Sequence, residues 1–324
     1  MNVAVLAYDD CLVSAVSGVL EILSIANSLP REYGGKNQFS GLEIVSPHGK
    51  DVIGYVGISL SVSVGIADVK PDILVIPPVF GDIEVLLEDV PLIERITDLG
   101  RGGTVLASAC AGSFLMARAG LLDGKPATTH WKLAPDFKAR FERVDLQPRR
   151  MLIDGGSYIC AGGAMAWQDL ALHIVARFMG REISSACAKM LVMDSTRDVQ
   201  TPYFMFESKS EENGFADKEI LKVQKWMQGN YQLTASIQVL SEKAGLGERT
   251  FLRRFKRATG LTPNNYLQQL RVEAARHLLE VSSKGVDEIT TAVGYDNPSS
   301  FRRLFKRMTG LNPREYRSRF SRVG

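Results

Sequence analysis

Apolar residues along this chain change their period about two thirds of the way through it. In the earlier part they fall in short runs: Asn2–Leu6 (NVAVL), Leu42–Val45, Asp72–Ile76 (DILVI), Thr104–Ala107 and Tyr158–Cys160. Each has the length and composition of a strand buried on both faces. Between them, Ser14–Asn27, Pro91–Leu99, Ser113–Arg118, Leu133–Arg140 and Ala166–Met179 carry apolar residues at helical spacing. The alternation predicts an α/β doubly wound domain, its mostly parallel sheet covered by helices. Ligands of such sheets sit beyond the carboxyl ends of the strands. That directs attention to the loops after Leu6, Ile76, Ala107 and Cys160.

From Asp217 onward the pattern is helical only. A first helix is predicted over Asp217–Gly229. Ile237, Leu240 and Ala244 then point inward from a short helix over Ser236–Ala244, followed by a Gly245-Leu246-Gly247 turn and a second helix over Glu248–Thr259. Gly260 stands where a helix ends on a left-handed residue, and Pro263 is a stop signal beyond it. The plan then repeats. Val286–Val293 is a short helix with Ile289 and Val293 inward, Gly294–Asn297 turns the chain, and Pro298 opens the next helix, where its missing N–H costs nothing.

The second helices of the two units are copies. Phe251–Tyr266 (FLRRFKRATGLTPNNY) and Phe301–Tyr316 (FRRLFKRMTGLNPREY) lie fifty residues apart and agree at ten of sixteen positions. Phe251/Phe255 and Phe301/Phe305 are spaced by four and are predicted core. The other faces carry Arg249, Leu252, Arg253 and Lys256 in the first copy, and Ser299, Arg302, Arg303 and Lys306 in the second. One basic helix alone fits a solvated surface. Two, each closing a helix-turn-helix of the same design, fit two stretches of DNA major groove, which the second helix of such a motif enters. Arginine there discriminates guanine by about 1–3 kcal/mol. The Lys-Arg pairs further along suit phosphates, which position without specifying.

Charge agrees with this division. The 324 residues carry a formal net charge of only +3, but residues 217–324 hold 20 Lys+Arg against 10 Asp+Glu, and residues 1–216 hold 19 against 26. A basic module is drawn to DNA with a steep salt dependence; an acidic one is a poor second DNA surface. The length suits two domains. They are predicted at 1–207 and 217–324, joined by a polar, glycine-containing linker over 208–216.

Candidate chemistry in the first domain centres on Ser108-Ala109-Cys110-Ala111-Gly112-Ser113. A strand running into small residues, with a cysteine at the tip and a helix at once after it, is the layout of a nucleophile elbow. Twenty residues further on, His130 in Thr128-Thr129-His130-Trp131 could face the thiol as a base or simply line a pocket. The four cysteines (11, 110, 160 and 187) show neither C-x-x-C spacing nor zinc-site histidines. No run of 18 apolar residues occurs, and the N-terminus lacks a signal-peptide layout. The expectation is a reduced, cytoplasmic protein with no metal, no cofactor and no membrane partner.

These motifs resemble known families in both parts. Residues 217–324, with the linking stretch Tyr266–Leu279, resemble the DNA-binding module of the AraC/XylS family. That resemblance implies that Arg249, Leu252, Arg253, Ser299, Ser300 and Arg303 face the bases, Leu252 standing where a polar residue is commoner. Ala119–Trp131 (AGLLDGKPATTHW), Ile159–His173 (ICAGGAMAWQDLALH) and Arg197-x-x-Gln200 resemble GlxA-type regulators, whose first domain belongs to the PfpI-like branch of the class I glutamine amidotransferase-like superfamily. Two departures stand out. Ser14, Ala15 and Ser17 occupy the region where enzymes of that superfamily carry an acid, Glu21 coming a turn too late, and Pro77-Pro78 replaces a glycine pair.

The resemblance implies a one-component bacterial transcription regulator, an activator rather than a repressor and not an enzyme. It would bind a double-stranded DNA operator, act as a homodimer with RNA polymerase, and answer a small, nitrogenous effector. Cys110, Ala111, His130, Trp131, Gly162 and Trp167 are the effector-binding candidates. The competing reading is a cysteine-dependent amidase or hydrolase carrying a DNA module, with Cys110 as nucleophile and His130 as base.

Overall fold

The computed structural model describes residues 1–29, 38–62, 64–194, 197–206 and 217–321; the expected linker over 208–216 lies outside them. By contact the chain divides into two units, Met1–Gln200 and Thr201–Gly324. The sequence expectation carries the first domain to 207. Thr201–Phe206 instead go with the second unit, because Arg276 donates to the carbonyls of Thr201 and Phe204 and the Phe206 ring packs on Tyr266.

The first unit is a six-stranded sheet flanked by helices. Its strands are β1 (Asn2–Leu6), β2 (Gly41–Val45), β3 (Ile73–Ile76), β4 (Val105–Ala109), β5 (Leu152–Asp154) and β6 (Tyr158–Ala161), in the order β2-β1-β3-β4-β6-β5. All pairs are parallel except β6 with β5. The helices are α1 (Val13–Ser28), α2 (Ile83–Leu87), α3 (Val90–Arg101), α4 (Gly112–Arg118), α5 (Ala134–Arg140), α6 (Trp167–Phe178) and α7 (Arg181–Met190). Val3–Leu6 and Ile73–Ile76 are buried without interruption, as strands covered on both faces must be. The doubly wound, mostly parallel sheet is therefore the one expected. The expected strand 104–107 runs on to Ala109, so Cys110 sits directly at the strand end.

The second unit is helical: α8 (Lys218–Gly229), α9 (Ile237–Lys243), α10 (Glu248–Thr259), α11 (Pro263–Val281), α12 (Val286–Ala292), α13 (Pro298–Thr309) and α14 (Pro313–Phe320). It has two small cores. One gathers Ile220, Val223, Leu240, Phe251, Phe255 and Tyr266; the other gathers Leu279, Ile289, Val293, Phe301, Phe305 and Tyr316. The 19-residue α11 contributes to both. The two basic helices end alike, on Gly260 at φ 74° and Gly310 at φ 80°, a conformation open to glycine at little cost.

Candidate functional site

The basic helices α10 and α13 bury the residues expected to be core and expose those expected to read DNA. Phe251, Phe255, Phe301 and Phe305 are fully buried. Arg249, Arg253, Lys256, Ser299, Arg303 and Lys306 are exposed, Ser300 is half-buried, and Leu252 stands 39% exposed as an apolar group on a charged face. Arg303 donates to Ser300 Oγ at 3.2 Å. The left-handed glycines in the two turns, Gly245 at φ 64° and Gly294 at φ 85°, let each short helix fold sharply onto its basic partner.

Further contacts set the pose of these helices. Arg254 donates two hydrogen bonds to the Asp217 carboxylate, at 2.7 and 2.6 Å, while Asp217 caps α8 by accepting from Ile220 N. The Arg254 bonds hold the Asp217 carboxyl below its ordinary pKa. In the second motif Arg302 pairs with Asp287 at 2.5 Å. On α11, buried Arg271 donates to the carbonyls of Tyr231 and Leu233, at 2.7 and 3.2 Å, and lies over the Tyr295 ring. It thereby ties the entry to α9 to the turn of the second motif.

In the first unit the elbow is present. Cys110 has φ 55°, a left-handed value rare for a non-glycine residue. Its N–H donates to Ala161 O at 2.8 Å, and its carbonyl accepts from Ser113 Oγ at 3.0 Å and Thr129 Oγ1 at 2.9 Å. Gly112 permits the turn, since a Cβ there would stand 2.6 Å from Ile76 O.

Burial disfavours the thiolate. Cys110 is 5% exposed, and burial pushes its pKa up to about 12 despite a hydrogen bond from the Ala111 backbone. Glu21, the nearest acid of α1 in sequence, is exposed. Burial, and then the charge of Lys132, lowers the pKa of His130. Its Nδ1 accepts from Lys132 N at 3.1 Å and its ring stacks on Trp131.

Cys110, Ala111 and His130 line one cavity of about 290 Å³ together with Val79, Phe80 and Phe114. The other effector candidates lie elsewhere. Trp131 stacks behind His130. Gly162 is buried beneath the Gln200 amide, where a Cβ would meet Nε2 at 1.8 Å, and Trp167 lays its ring over Gly18 of α1. A second cavity, about 400 Å³, is walled by Arg150, Asp169, His173, Ser184, Arg197 and Asp198. Asp169 is bonded there by Arg197 at 3.2 and 2.5 Å, and His173 by Asp154 at 2.8 Å.

An α/β unit with a strand-end elbow, followed by two basic helix-turn-helix motifs, defines the class of protein. Residues 28–177 match the DJ-1/PfpI family and residues 240–319 match a helix-turn-helix domain. The chain thus joins a part that matches the DJ-1/PfpI family to a part that matches a helix-turn-helix domain. It is 28% identical over 211 residues to the HTH-type transcriptional regulator GbdR of Pseudomonas aeruginosa, covering 64% of this chain and 57% of that one. It is 27% identical over 203 residues to the HTH-type transcriptional regulator GlxA of Rhizobium meliloti, covering 63% and 62%. The matched part is thus less than two thirds of either relative. An AraC family transcriptional regulator of Pseudomonas putida shares the fold, with TM-score 0.50 and 19% identity over 59% of this chain and 98% of that one. Among the described residues no helix is long and apolar enough to cross a membrane.

Proposed function

We propose that this chain is a one-component transcription regulator, one that activates rather than represses. Its second unit binds operator DNA through α10 and α13, and its first unit binds a small effector in the cavity beside Cys110. The observation that carries this reading is the pair of exposed basic faces on helices with matching cores, turns and closures. Arg249, Leu252, Arg253, Ser299, Ser300 and Arg303 face bases in this reading, and Lys256 and Lys306 face phosphates. The names of the relatives, all HTH-type regulators, support it. Homodimerisation and contact with RNA polymerase belong to the same proposal.

The first unit is a sensor rather than an enzyme in this reading. A thiol with a pKa near 12 is almost wholly protonated at neutral pH, and the thiolate is the nucleophile. Cys110, Ala111 and His130 are then pocket wall, with the thiol and the neutral imidazole as the polar groups facing a mostly apolar ligand.

Selection of the full chain against a random DNA library tests the first part. The expected product contains two short conserved blocks about 10 base pairs apart, bound with an affinity that falls steeply with salt. The absence of any enriched sequence at moderate salt would overturn the reading. A thermal-shift screen of the full chain against amino acids, betaines, polyamines and purine-breakdown products tests the second part. A ligand at a hundred times its Kd adds about 2.7 kcal/mol, and Cys110→Phe, which fills the cavity, removes that shift.

A further inference from the structure

The two basic helices differ at one exposed position in a way that the motif itself does not require. Phe251 and Phe301, Arg253 and Arg303, and Phe255 and Phe305 lie fifty residues apart, so Arg302 stands where the first copy has Leu252. The Arg302 guanidinium donates from Nη2 to Asp287 Oδ1 of α12 at 2.5 Å, and both side chains are open to solvent, 45% and 67% exposed. In the short first helices the offset is forty-nine, as Leu240/Ile289, Ala244/Val293 and Gly245/Gly294 show. Asp287 therefore answers to Gln238, which turns instead to Glu242 at 3.0 Å. One copy has both members of the pair and the other has neither.

An ion pair this exposed adds little to stability, because water screens it and the side chains lose freedom in holding it. The first motif closes around its core without one. Its place on the fold matters more. In a helix-turn-helix the second helix enters the major groove while the first crosses the phosphate backbone. A carboxylate on that first helix repels phosphates and lowers affinity for any DNA. It also brings order to a long side chain, since the bond to Asp287 fixes the Arg302 guanidinium on the exposed side of α13. A bond from Nη2 alone leaves the other N–H groups available for two parallel hydrogen bonds to guanine O6 and N7. The neighbouring Arg303 bonds back along its own helix, to Ser300 Oγ at 3.2 Å. The two adjacent arginines are thus directed by different partners.

We propose that Arg302 reads a guanine in the second block of the bound DNA and that Asp287 is its positioning residue. The proposal rests on the reading of α13 as a DNA-binding helix, and it adds a base contact and a source of specificity there. Asp287 sharpens the choice of sequence in two ways. It presents the guanidinium already oriented, which lowers the ordering cost of the correct contact. Its charge also penalises random DNA, where no guanine rewards the arginine. The first motif, with Leu252 at this position, has no counterpart.

The test uses the full chain and duplexes of the selected sequence, with each base pair of the second block replaced in turn and binding read by fluorescence anisotropy at fixed salt. Arg302→Ala is expected to lose about tenfold in preference at one G·C pair, a different pair from the one that Arg303→Ala flattens. Arg302→Lys keeps the charge but not the planar fork. It should flatten the same pair while binding random DNA as the native chain does. Asp287→Ala should reduce that one preference severalfold and tighten binding to random DNA. In the Arg302→Ala chain the same change should leave the preference where it was. Equal weakening on all duplexes in Arg302→Ala would place the residue on phosphate and overturn the proposal, as would an unchanged preference in Asp287→Ala. A selection that enriches no second block overturns the DNA reading of α13 itself. An enriched second block indifferent to Arg302 overturns this inference alone.

Discussion

Helices α10 and α13 read as one sentence written twice, and they differ most where they face outward. Their buried phenylalanines, closing glycines and following prolines agree. At the position held by Leu252 in the first copy, the second has Arg302 bound to Asp287. Where the first has Arg254 bound to Asp217, the second has Leu304, 6% exposed in its core. The first helix is thus held by an ion pair to the cap of α8, and the second by apolar packing at that position. The contrast teaches that the shared residues build the motif, while unshared ones such as Arg254 and Leu304 set how each copy is anchored.

The largest effects should come from the shared core, and there the copies should behave alike. Phe255→Ala and Phe305→Ala are each expected to cost about 3–5 kcal/mol, read from thermal unfolding of the second unit within the full chain. A much smaller loss in one copy would show that its core is not the equal of the other. The next effects concern reading. Arg253→Ala and Arg303→Ala should each lose about 1–3 kcal/mol on the selected DNA and little on random DNA. Lys256→Ala should instead weaken both kinds of DNA together and lower the salt slope by about one. Equal losses on both DNAs for Arg253→Ala would move that residue to the phosphate group.

The smallest effect isolates the anchoring difference. Asp217→Ala removes a helix cap and should cost about 1 kcal/mol. Because Arg254 lowers the folded pKa of Asp217 below its ordinary 3.8, this stabilisation is present above that value. It is lost as the pH falls through the lower folded pKa. The gap in unfolding temperature between the native chain and Asp217→Asn should therefore close on acidification from pH 6 to pH 3. A gap that stays constant would mean that the Arg254 bond does not favour the charged carboxylate. No such acid dependence is expected at Leu304.

Much of this was legible in the sequence, for identifiable reasons. The spacing of four in Phe251/Phe255 and Phe301/Phe305 survives any detail of packing, so those core positions follow from periodicity. Small residues around Cys110 and the helix at once after it suffice to show an elbow. The three-residue edge strand Leu152–Asp154 is too short to carry a pattern, and α7 follows α6 after a break of only Met179 and Gly180, the latter at φ 114°. Asp217 and Arg254 lie 37 residues apart, so nothing local announces their bond. Gly162 and Trp167 sit in a family-like stretch close to the elbow in sequence, but Gly162 lies against the Gln200 amide and the Trp167 ring against Gly18, contacts that no local pattern announces.

The length of α11 has a consequence for the DNA itself. Nineteen residues of helix span about 28 Å, and in the proposed DNA-binding reading one stiff rod with a foot in each core would act as a ruler between α10 and α13. A ruler of this kind tolerates changes of letter in the DNA between the two blocks but not changes of distance. Each inserted base pair would rotate the second block by about 35° around the duplex axis and carry it out of reach.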